Sequence, residues 1–79
     1  RLNWDAIETP FLPRLLERIE ADLVEAEAEE QRFAEQLADP ALYNDLSKVQ
    51  SVTEAQQEAQ KKVATLYEWW EKVSERMEN

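Results

Sequence analysis

The chain has 79 residues, no glycine, cysteine or histidine, and 18 acidic residues against 9 basic ones, for a formal net charge of −9. Without glycine it has no phosphate-cradling or dinucleotide-binding loop, because both need backbone that a side chain would block. Without cysteine and histidine it has no disulfide, no usual zinc site and no Ser/His or Cys/His nucleophile, and its acidic excess opposes binding to a phosphate backbone.

Other classes fall away on similar grounds. An EF-hand loop needs a glycine at its turn. No apolar run approaches the ~20 residues of a membrane span. The start, Arg1-Leu2-Asn3-Trp4-Asp5, carries neither an initiator Met nor an apolar leader segment, so the chain reads as a piece of a longer protein in the cytoplasm.

Residues 1–11 form an irregular N-terminal segment. Pro10 and Pro13 each remove an N–H donor, and Thr9 is placed to cap a first turn with Pro10 at its first position. Trp4, Ile7 and Phe11 need an apolar surface to lie on.

From Leu12 the spacing becomes regular. Leu12, Leu16, Ile19, Leu23, Ala26, Glu30, Phe33 and Leu37 recur at alternating steps of four and three, a heptad seam with one polar intrusion, Glu30. This predicts a first helix over 12–38. A corner follows at 39–47, where Asp39 can cap a single turn that starts with Pro40, and Ser47-Lys48-Val49-Gln50 fits a capping box. The second helix, 48–78, carries its own seam: Val49, Val52, Gln56, Ala59, Val63, Leu66, Trp70, Val73 and Met77.

A loop this short makes the two helices antiparallel neighbours. The predicted fold is therefore all-α: a two-helix antiparallel coiled-coil hairpin forming one domain, with the N-terminal segment folded back on its open end. Its core should hold Leu16, Ile19, Leu23, Phe33, Leu37, Val63, Leu66, Trp70 and Val73. The favoured register pairs Leu37 with Val52, Glu30 with Ala59, Ile19 with Trp70 and Leu12 with Met77; a second register is centred on Ala41. Both bring Lys62 near Asp22 or Glu29. Leu15 and Trp69 are apolar on a flank where a plain coiled coil would be charged, which predicts that Trp4, Ile7 or Phe11 packs over them.

Each candidate site has a plainer reading. Glu30 and Gln56 could form a carboxylate site between the helices, but more simply set the register, because a di-metal bundle needs several more inward carboxylates plus histidine. Lys61 and Lys62, the adjacent basic pair, could touch a phosphate, but Glu25, Glu29 and Glu58 are close enough to neutralise them. The acidic run from Glu17 to Asp39 is a solvated helix face. Trp70 belongs to the core, and Trp69 lies either under the N-terminal segment or exposed as a stacking platform. Pro40, Leu42 and Tyr43 form an apolar tip that either plugs the hairpin or touches a partner. No residue pattern indicates a catalytic, cofactor or metal site in this chain.

The string Leu12-Pro13…Ile19-Glu20, the corner Leu37-Ala38-Asp39-Pro40-Ala41-Leu42-Tyr43 and the closing Leu66-Tyr67-Glu68-Trp69-Trp70-Glu71-Lys72-Val73 together resemble the C-terminal domain of ABC-F ATPases of the Uup type. Leu2-Asn3-Trp4 stands where that family has a Leu-Ser-Tyr-like start. Trp70-Glu71 matches its closing Trp-Glu, with Trp69 where Arg is common and Val73 where Leu is common.

The resemblance implies a coiled-coil arm of a tandem ATPase, with ATP and Mg bound in other domains of the parent protein and with ribosome- or translation-linked work. It also implies a DNA-binding alternative, for which Lys61, Lys62, Lys72 and Arg76 are the available cations. The charge of −9 disfavours nucleic acid, which leaves a ribosome or another protein as the expected partner and no membrane. The chain itself is expected to be non-catalytic, and a monomer or weakly self-associating through Leu15, Val24 and Trp69.

Overall fold

The computed structural model describes residues 3–78. Two helices dominate: α1 over Leu12–Leu37 and α2 over Leu46–Glu78. They pack against each other as an antiparallel hairpin. At 1.5 Å per residue a helix of 33 residues is about 50 Å long, and the molecule is a rod of 53 × 21 × 14 Å. Its radius of gyration is 16.7 Å, against about 12 Å for a globular chain of this size.

The helix starts and stops follow from local chemistry. Pro13 lies in the first turn of α1, where a missing N–H costs nothing because no carbonyl awaits it. The Ala38 N–H closes the other end on the Ala34 carbonyl at 3.1 Å, one residue short of the expected boundary. Asp39 caps the 3-10 turn Pro40–Asn44 by accepting from the Ala41 N–H at 2.9 Å.

The start of α2 differs from expectation. The capping box at Ser47 does not form. Asp45 is the cap: its carboxylate accepts from the Ser47 N–H at 3.0 Å and the Lys48 N–H at 3.3 Å, so the helix opens two residues early, at Leu46. A carboxylate at that position satisfies two otherwise unpaired donors and favours the positive end of the helix. Thr9 also plays a different part. It is the first residue of a 3-10 turn, Thr9–Phe11, which closes through the Phe11 N–H on the Glu8 carbonyl, without a side-chain cap.

The core is thin and weighted toward the open end. Leu12, Ile19, Leu23, Ala26, Leu66 and Val73 form one buried cluster, with Leu15, Leu16, Val63, Trp69 and Trp70 half-buried or packed against it. Ala59 is buried at mid-rod. Toward the corner, Glu30, Phe33, Leu37, Val49, Val52 and Gln56 are half-buried. Two small alanines at the middle of the seams bring the helices close but contribute little area.

Two side-chain hydrogen bonds cross between the helices, from Trp70 Nε1 to Glu20 at 3.3 Å and from the Tyr67 hydroxyl to Glu27 at 3.1 Å. Trp70 thus reaches Glu20, next to Ile19, while Tyr67 reaches Glu27, five residues from Asp22, its partner in the first register. Met77 departs from its seam position. It is 43% exposed, whereas Leu12 is buried in the cluster that holds Val73, with Trp4 and Ile7 packed against it.

Candidate interaction surfaces

The N-terminal segment folds back over the open end of the hairpin. It is two 3-10 turns, Trp4–Ala6 and Thr9–Phe11, separated by extended backbone at Ile7 and Glu8. The Trp4 ring lies against Trp69 with centroids 6.2 Å apart and planes inclined at 58°, a tilted aromatic pair. Trp4 and Ile7 pack onto the core cluster, while Phe11 remains 54% exposed. Trp69 is therefore covered on this side and is not a bare stacking platform.

Arg76 was missed as a structural residue in the sequence. One of its guanidinium nitrogens, Nη1, donates to the Trp4 carbonyl at 2.6 Å and also to the Ile7 carbonyl. Both contacts are partly buried and span about 70 positions of chain. Arg suits this because its donors are fixed in a plane and stay charged. The cation proposed for a phosphate is thus engaged with backbone oxygens. No local signal marks it, because its partners are carbonyls, which every residue has.

The remaining cations separate. Lys61 pairs with Glu58 at 3.4 Å, and Asp22 pairs with Arg18 at 3.2 Å, each within its own helix. The expected approach of Lys62 to Asp22 produces a shared groove and no ion pair: Asp22, Lys62, Leu66 and Trp69 line one open furrow along the rod. Lys72 borders a second recess with Trp4, Asp5 and Arg76.

At the corner, the Tyr43 hydroxyl donates to the Leu37 carbonyl at 2.6 Å, satisfying an acceptor left open where α1 ends. The ring itself is 52% exposed, Leu42 is half-buried, Pro40 is exposed, and Leu46 is 78% exposed. The tip thus combines a locally anchored phenol with apolar surface facing solvent.

Tyr67 has a displaced titration. The hydrogen bond to Glu27 and that carboxylate's negative charge raise its pKa above the ordinary 10.0. Among the described residues, no three acidic side chains gather where they could hold a metal ion. No helix of the structure is long and apolar enough to cross a membrane.

A family model described as "ABC transporter C-terminal domain" matches residues 12–75. The chain belongs to the ABC transporter C-terminal domain family. The match runs through both seams and the corner, so this small helical domain is an accessory part of an ABC-type protein rather than a catalytic unit. The fold-back segment and Arg76 both lie outside the matched span. No curated protein and no solved structure matches the chain.

Proposed function

We propose that the chain is the non-catalytic C-terminal interaction arm of a cytoplasmic ABC-F ATPase of the Uup type. It would reach from the ATPase body to the ribosome or to a partner protein in translation-linked work. The observation that carries this reading is the shape of the family domain: a 53 Å acidic rod, closed at its base by the Trp4–Trp69 contact and ending in exposed Tyr43 and Leu46. The ATP and Mg chemistry would belong to other domains of the parent.

Capture of purified ribosomes, and separately of the parent's ATPase domains, on immobilised chain tests the reading. Binding lost in Leu42→Ala and Tyr43→Ala places the contact at the tip that includes Pro40. Capture of neither, or a parent gene without a phosphate-binding loop and signature motif, overturns it.

A nucleic-acid arm using Lys61, Lys62, Lys72 and Arg76 is the second reading. The alignment of these cations along α2 supports it; the net charge of −9 and the engagement of Arg76 oppose it. A gel shift that weakens steeply with salt would favour it.

A further inference from the structure

The segment from Trp4 to Phe11 is held to the rod at few points. None of its residues is buried. Trp4 tilts against Trp69, Trp4 and Ile7 rest on the core cluster, and the Trp4 and Ile7 carbonyls share one donor, Nη1 of Arg76. Contacts that depend on one donor are lost together, so the segment comes away as a unit rather than residue by residue.

The rod beneath is held differently. Ile19, Leu23 and Leu66 are buried between α1 and α2, within the helices themselves. Segments with few buried apolar contacts open at a lower free energy than a packed core. Arg76 adds to the difference, because it lies in the last turn of α2, where helices fray. Both the cover and its fastening are therefore at the least stable end of the molecule.

We propose that Trp4–Phe11 is a releasable strap that sets where the arm pivots and how far it reaches. In the reading of the domain as a C-terminal arm, the ATPase body comes earlier in the parent chain, so this segment lies on the path between body and rod. With the strap closed, the chain is pinned to α2 at Trp69 and Arg76, and the pivot lies before Trp4. With the strap open, the pivot moves to Leu12 and Pro13, and eight residues become tether. Eight extended residues span at most about 27 Å, about half the 53 Å length of the rod. The proposal deepens the arm reading and rests on it for what the tether does; the opening itself does not depend on it.

Distance measurement between two spin labels in the full chain tests the strap. The sequence has no cysteine, so Asp5→Cys and Gln60→Cys, both at exposed positions, carry the labels. One narrow distance is expected in the otherwise unchanged chain. Arg76→Gln should raise the open population about tenfold, and Arg76→Gln combined with Trp4→Ala should leave a broad distribution dominant. Lys72→Gln removes a charge one turn away and should keep the narrow distance. Circular dichroism should show the helices intact in every variant. A narrow distance that survives in the combined variant, equal broadening by Lys72→Gln, or melting of the hairpin together with the segment overturns the proposal. The measurement needs no partner. Its failure would leave tip-dependent ribosome capture standing, and failure of that capture would sink the arm reading while leaving the opening of the strap in place.

Discussion

Arg76 Nη1 and the Trp4 carbonyl oxygen lie 2.6 Å apart, joining the last turn of α2 to the start of the described chain. The same nitrogen reaches the Ile7 carbonyl. One charged group therefore fastens a segment that has only short 3-10 turns of its own.

Removing this clasp should loosen the base without unfolding the rod. Hydrogen bonds from charged groups to partly buried acceptors contribute about 1.5–3 kcal/mol. Arg76→Gln is expected to lower stability by about 1–2 kcal/mol, a fall in Tm of roughly 10 °C for a domain of this size. Thermal melts followed by circular dichroism measure the loss. Hydrogen exchange at the Ala6 and Ile7 amides should accelerate, while exchange near Ala26 and Ala59 changes little.

Trp4→Ala should cost about 2 kcal/mol, less than a fully buried tryptophan would, because the ring is half-buried. Since Trp4 and Arg76 hold the same segment, the double variant should lose less than the sum of the single losses. Urea denaturation of the three variants measures the coupling. An unchanged midpoint for Trp4→Ala would mean that the segment adds nothing to the hairpin.

The two candidate caps of α2 can be told apart directly. Asp45→Ala should cost about 1 kcal/mol, the usual loss at an N-cap. Ser47→Ala should be close to neutral, because the Ser47 N–H is a donor to Asp45 and its hydroxyl makes no capping bond. Equal losses in urea titrations would contradict the boundary at Leu46.

Tyr67 gives a pH test. Its folded-state pKa is raised above 10.0, first by the hydrogen bond to Glu27 and then by that carboxylate's charge. A raised pKa means that the folded form holds the phenol proton more tightly than the unfolded form does. The stabilisation is fully present below about pH 10 and is lost as pH rises through the folded value. Ultraviolet titration of Glu27→Ala should show the Tyr67 phenol ionising at lower pH than in the parent chain. Tyr67→Phe should remove this part of the alkaline loss of stability.

Sequence alone determined the hairpin. Alternating steps of three and four place Ile19, Leu23, Leu66 and Val73 on facing stripes, and these four are buried. Asp39 and Pro40 mark the corner because a carboxylate cap and a residue without N–H suit the same turn. Such signals are legible because helix periodicity and capping act over a few neighbouring residues.

Tertiary structure decided the rest. It exposed Met77 and turned Arg76 from a surface cation into a clasp. The reason is the same in the long-range cases. A guanidinium or phenol takes whichever acceptor the fold brings within 3 Å or so, and backbone carbonyls carry no residue-specific signature to foretell which.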